Sequence, residues 1–173
     1  MSNFVKIKNK ISRFDKKLFI EGDKSLSIRW ALLSSQSSKK CRSSNLLLSE
    51  DVLSTLDCLK KLGVKIKIKK NFCEITGLGL NGFKYKNNLI LNAGNSGTLS
   101  RLILGLLVHS KKIIKIKGDN SLSKRDFTRV TKPLEEFGAK FITKSGKLPI
   151  KIKGTNHAKS IKYHENKGSA QCK

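Results

Sequence analysis

Hydrophobic and polar positions alternate strictly in several short stretches of this chain, among them Lys65-Ile66-Lys67-Ile68-Lys69 and Lys115-Ile116-Lys117. A period of two belongs to a β-strand, with isoleucine facing a core and lysine facing water. Other stretches keep a helical period. Ser49-Glu50-Asp51 precedes an amphipathic run from Val52 to Leu62, which Gly63 closes. This pattern predicts a helix with Ser49 as N-cap, acidic residues in its first turn and Gly63 just past its end. Strands are predicted next, at Val64 to Ile68 and at Cys73 to Gly77. The same order returns further along. Ser123-Lys124-Arg125-Asp126 precedes a predicted helix near Phe127 to Phe137, Gly138 closes it, and strands follow at Ala139 to Thr143 and Leu148 to Gly154.

The recurrence extends to the start of each unit. Lys24 to Leu33 and Asn95 to Leu104 both carry a small polar cluster, an arginine and then an apolar helical run. Ser25 lies 71 residues before Ser96, and Ser96 lies 73 before Ser169. Self-similarity at a near-constant period marks a repeat architecture. Each copy reads as β-α-β-α-β-β over about 70 residues, which makes the fold class α/β (α+β). The copies span about 21–83, 84–154 and 155–173, and the third stops where its first helix should begin. The sequence is therefore expected to be a fragment. Residues 1–20 fall outside the repeat and hold candidate strands at Phe4 to Ile7 and Lys17 to Ile20.

The chain has 173 residues, 38% of them apolar and 28% charged, which suits a globular domain with its own core. No run of about 18 apolar residues occurs, so no transmembrane helix is expected. The lysine-rich start is followed by no apolar segment of the signal-peptide kind, and the expected location is cytoplasmic. Cys41, Cys58, Cys73 and Cys172 show neither C-x-x-C pairing nor zinc-ligand spacing to the histidines. Free thiols and no metal are expected. The P-loop, Gly-x-Ser-x-Gly and His-Glu-x-x-His patterns are all missing.

Charge changes the picture more. The formal net charge is +25, and of 37 basic residues only six are arginine: Arg13, Arg29, Arg42, Arg101, Arg125 and Arg129. A basic surface attracts anions, whether nucleic acid or small phosphorylated substrates. Aromatics at 6%, without an aromatic-and-basic stacking motif, speak against a sequence-selective nucleic-acid module. The small polar clusters favour a small anion. Gly22-Asp23-Lys24-Ser25, Gly94-Asn95-Ser96-Gly97-Thr98 and Gly168-Ser169-Ala170-Gln171 each open a predicted helix. A helix N-terminus offers unpaired N–H groups and a positive dipole end. Each cluster alone is explained by ordinary capping. If pseudo-symmetry gathers all three, they form one polyanion site. Arg29, Arg101 and Arg125 sit in or beside these motifs, where a planar fork suits phosphate or carboxylate better than lysine does. For Arg101 the alternative is a purely structural place between repeats, bonded to backbone carbonyls.

Five segments in order resemble the motifs of EPSP synthases: Gly22 to Arg29, Asn45 to Val52, Gly94 to Thr98 with Arg101, Gly118-Asp119 through Ser121 to Arg125, and Ser169-Ala170-Gln171. The resemblance implies an enolpyruvyltransferase of the inside-out barrel type, two domains of three β-α-β-α-β-β units each, with the active site between them. Residues 1–20 would belong to the other domain. It also implies transfer of the enolpyruvyl group of phosphoenolpyruvate to the 5-hydroxyl of shikimate 3-phosphate, by addition and elimination, in a monomer without cofactor. Lys24 would meet both substrates and act in catalysis. Ser25, Arg29, Ser169, Ala170 and Gln171 would hold shikimate 3-phosphate. Gly97, Arg125 and Gln171 would face phosphoenolpyruvate, with Asn95, Thr98 and Arg101 in support. Proton-transfer groups would lie beyond Lys173, so the chain alone is expected not to turn over. The sister transferase acting on UDP-N-acetylglucosamine is the nearest alternative, but its first helix opens Lys-Asn rather than Lys24-Ser25.

Overall fold

The computed structural model describes residues 15–69, 72–164 and 168, together with Val5, Lys6, Lys8, Lys10 and Arg13. Its order is α1 (Lys24–Ser35), β1 (Lys40–Ser44), α2 (Glu50–Lys61), β2 (Lys65–Lys69) and β3 (Phe72–Thr76). There follow β4 (Leu89–Asn92), α3 (Gly97–Leu106), β5 (Ile114–Lys117), α4 (Asn120–Ser123), α5 (Thr128–Glu136), β6 (Lys140–Lys144) and β7 (Lys147–Lys153). The α2 helix forms where the pattern predicts it. Val52, Thr55, Leu56 and Leu59 are buried on one face, Glu50 and Asp51 sit at its positive end, and Lys60 and Lys61 at its negative end.

The strands make two antiparallel-centred sheets. Sheet A has the order β1-β3-β2, and sheet B the order β4-β5-β7-β6. β5, β7 and β6 repeat the order of β1, β3 and β2, with the same antiparallel pairings. In sheet B, β4 adds a strand parallel to β5. Its counterpart in the first unit would be the segment Lys17 to Ile20, which forms no strand here. Instead Leu18, Phe19 and Ile20 are exposed. A strand is defined by its partner, and this segment has none among the described residues. Of the candidate strand at Phe4 to Ile7, Phe4 and Ile7 lie outside the described residues, and Val5 and Lys6 are not in a strand.

Alternation decides which face of each sheet goes inward. Ile75, Ile114, Ile116, Ile150 and Ile152 are fully buried or nearly so. They pack with Ile28, Leu56, Leu99 and Leu104 of the helices in one continuous core. Ile66 packs against that core, but Ile68, also expected inward, is 39% exposed. β2 is an edge strand, and beside Ile68 the surface opens into a groove with Leu46 and Leu48. The short α4 is a further departure from the sequence pattern. Four residues are too few to show a helical period. Among the described residues no helix is long and apolar enough to cross a membrane.

Candidate functional site

Three helix N-termini approach one another. Asp23 caps α1, its carboxylate accepting from the Leu26 amide at 2.7 Å, so Lys24 becomes the first helical residue. Ser96 caps α3, its hydroxyl accepting from the Leu99 amide at 3.3 Å, so Gly97 takes the same position there. The first amides of a helix have no acceptor within it, and both ends present positive dipoles. The third terminus is that of α2, and Gly22 explains how it comes near. A Cβ on Gly22 would lie 2.1 Å from the Asn45 carbonyl oxygen. Only glycine lets the β1–α2 loop approach this closely. Asn45 also donates from Nδ2 to the Ile20 carbonyl, and the Leu47 amide donates to Ser27 Oγ at 3.1 Å. The start of α2 is thereby held beside that of α1, and Asp51 Oδ2 meets Lys24 Nζ at 3.0 Å.

The second unit supplies the arginines. Arg125 follows α4 and donates from Nη2 to Asn95 Oδ1 at 3.2 Å. Arg101 donates to the Gly97 carbonyl at 3.4 Å and to the Asp126 carbonyl at 3.3 Å, with its guanidinium 4.9 Å from the centroid of the Phe127 ring. Arg101 is therefore anchored to backbone, as the structural alternative foresaw, while one edge still borders the cavity. Both guanidinium groups flank Gly97. A Cβ there would come within 2.9 Å of Arg125 Nη1 and 3.0 Å of Arg101 Nη1. The glycine leaves room for two cations at one helix N-terminus. Beside them, Asp126 accepts from the Thr128 hydroxyl at 2.6 Å and the Thr128 amide at 3.1 Å. These two bonds, more than the nearby Arg101, hold its carboxyl below the usual value.

The result is a polar cavity of about 480 Å³ lined by Lys24, Asp51, Asn95, Gly97, Thr98, Arg101 and Arg125. Three cations face one carboxylate. Coulomb attraction to a dianion is strong here because helix ends and cations act in the same direction. Such a cavity can hold a phosphate or carboxylate. With only Asp51 as an acid, and that one ion-paired, these residues offer no evident proton shuttle. Six of the seven lining residues were candidates from sequence. Asp51, a first-turn acid and part of the Asn45 to Val52 segment, is the seventh, and its signal is the Ser49-Glu50-Asp51 cluster at a helix start. Ser25 and Arg29 belong to α1 but do not line this cavity. Ser169, Ala170 and Gln171 lie outside the described residues.

Comparison with known proteins agrees in family and in extent. Residues 8–173 match the family model described as EPSP synthase (3-phosphoshikimate 1-carboxyvinyltransferase). A 3-phosphoshikimate 1-carboxyvinyltransferase of Vesicomyosocius okutanii is 46% identical over 156 residues, covering 90% of this chain and 36% of that protein. The one from Caldicellulosiruptor saccharolyticus is 40% identical, with 91% and 36% covered. Among solved structures, EPSP synthase from Acinetobacter baumannii superposes with a TM-score of 0.84 at 35% identity, over 91% of this chain and 36% of that one. The chain thus spans about a third of the length of these relatives. Its fold is the mixed α and β fold of those structures, and on the match of residues 8–173 the chain belongs to the EPSP synthase family.

Proposed function

We propose that this chain forms part of the cradle in which the enolpyruvyl group of phosphoenolpyruvate passes to the 5-hydroxyl of shikimate 3-phosphate. The observation that carries the reading is the convergence of Lys24, Arg101 and Arg125 on a cavity edged by Gly97. Both substrates are anions, and bringing like charges together needs a fixed cationic frame. In this reading the phosphoenolpyruvate phosphate and carboxylate lie against Arg125 and the Gly97 end of α3. Lys24 sits between the two substrates. Release from Asp51 would free its ammonium for the transferring group. Ser25 and Arg29, with Ser169, Ala170 and Gln171, hold shikimate 3-phosphate on the α1 side.

The repeated units are proposed to assemble as an inside-out barrel, sheets outward and helices inward, with residues 1–20 joined to a second domain. Proton transfer then falls to groups in the other two thirds of the relatives' length, since general acid–base work needs a carboxyl or imidazole free to titrate. A phosphate-release assay with both substrates tests this. The 173-residue chain alone is expected to release none. Joined to the remaining length of a relative, it turns over, and Arg125→Gln lowers kcat/KM by roughly 10²- to 10³-fold, the usual loss of a charged donor at a developing anion. Full turnover by the chain alone, or an unchanged Arg125→Gln, would sink the proposal.

A further inference from the structure

The outward face of sheet B carries charge that nothing in the described chain answers. β5 contributes Lys115 and Lys117, β6 contributes Lys140 and Lys144, and β7 contributes Lys147, Lys151 and Lys153. Burial alternates along these strands, which puts Ile114, Ile116, Ile150 and Ile152 inside and the lysines on the opposite face. Register then sets lysine directly opposite lysine three times: Lys115 with Lys151, Lys140 with Lys153, and Lys144 with Lys147. Like charges placed opposite each other on one face are destabilising. Among the described residues none of the seven is in an ion pair. Glu135, in the last turn of α5, borders a groove with Lys140 and Lys151 and is in no ion pair with either.

Sheet A, whose three strands pair in the same order but without the irregularity of β6, also faces outward with cations, yet it sets an acid and an aromatic ring among them. Its central Glu74 lies opposite Arg42 on one side and Lys67 on the other. Lys40 Nζ also approaches Glu74 Oε1, at 3.8 Å. Phe72, next on that face, receives the Arg42 guanidinium 3.6 Å from its ring centroid and Lys69 at 5.7 Å. At the matching positions sheet B has Lys151 for Glu74, Lys153 for Thr76 and Pro149 for Phe72.

From this contrast we infer that the outward face of sheet B docks the sugar–phosphate backbone of a nucleic acid, without reading its sequence. Same-face residues along a strand are about 6.6 Å apart and neighbouring strands about 4.8 Å. These spacings are of the same order as the charge spacing of a nucleic-acid backbone, which in a duplex is one phosphate per strand per about 3.4 Å of axis. Lysine meets a phosphate as a point charge, without the bidentate geometry that an arginine fork would add, which fits contact with the backbone and no reading of sequence. The face has no aromatic side chain on which a base could stack, so affinity comes from counterion release alone. The site is separate from the cavity at Lys24 and does not depend on the function proposed for it.

Fluorescence anisotropy of a labelled 20-nucleotide RNA of mixed sequence, titrated with the whole chain over a range of salt, tests the inference. Two triple variants lose equal charge: Lys115→Gln with Lys140→Gln and Lys151→Gln on sheet B, and Lys65→Gln with Lys67→Gln and Lys69→Gln on sheet A. The sheet B triple is expected to lose at least about tenfold in affinity, and its slope of log Kd against log salt to fall by about 2. The sheet A triple should stay within about twofold of the parent. Thermal unfolding of both triples separates lost contacts from lost folding. Equal losses in the two triples would show net charge only and overturn the inference. So would binding to vesicles containing anionic phospholipid, or to polyglutamate, that depends on the sheet B lysines while RNA binding does not.

Discussion

The two units of this chain use one strand order but place charge differently on the outward face of the sheet. In β1-β3-β2 an acid and an aromatic ring on the central strand are flanked by cations on both sides. In β5-β7-β6 the central strand carries lysines at Lys147, Lys151 and Lys153. The inward faces show no such divergence: Cys73 and Ile75 in one, Ile150 and Ile152 in the other, all buried. Packing density constrains the inner face, where one methylene is felt. The outer face answers only to solvent and partners. The units therefore differ on surfaces where the fold does not require agreement. The polar cavity follows the same rule. The first unit gives Lys24 and Asp51 from two helix starts, and the second gives Asn95, Gly97, Thr98, Arg101 and Arg125.

The sharpest break in the comparison is at the start of the second helix of each unit. Ser49 stands before α2, and Phe127 stands before α5. Phe127 is wholly buried and lies beneath Arg101. Phe127→Ala is expected to cost about 3–5 kcal/mol in urea unfolding, the usual range for a buried aromatic, and to release Arg101 from its anchor. The matching Ser49→Ala should behave in the opposite sense. Ser49 Oγ is buried with no partner and makes no cap bond. Its removal deletes an unsatisfied group, so stability should hold or rise by up to about 1 kcal/mol. Ser96→Ala, which removes a working cap bond, should lose about 1 kcal/mol in the same assay. Equal losses at Ser49 and Ser96 would show that the two caps do not differ.

The smallest effects should come from exchanging the charge patterns of the sheets. Lys151→Glu would set an acid opposite Lys115, as Glu74 stands opposite Arg42 in sheet A. A gain of about 0.5 kcal/mol in thermal or urea unfolding is expected, with a loss of similar size for Glu74→Lys. High salt should shrink both changes, since exposed pairs are screened. No change in either variant would mean that the lysine pairs on sheet B are already relaxed by solvent.

Much of the fold was legible in the residues themselves. The alternation of Lys115 to Lys117 and the helical face of Val52 to Leu59 are local patterns, and local patterns survive into the structure because burial enforces them. The clusters at Lys24 and at Asn95 to Thr98 were legible for a similar reason, since capping residues and glycines act within one turn. Other features depended on distance in space. Lys17 to Ile20 has strand composition but no partner among the described residues. Asp51 became a cavity residue only because Gly22 allows the β1–α2 loop to close on α1. Arg29 carries the same motif character as Arg101, yet only Arg101 borders the cavity.

By itself, then, the order of residues determined where helices and strands would form, which faces would be apolar and which small polar clusters would cap helices. These properties arise from interactions spanning a few residues. Only the tertiary structure decided which helix ends meet, which lysines stand opposite one another and whether a given acid finds a cation. Those outcomes rest on strand register and on close backbone approach, in which a shift of one residue moves a side chain to the other face.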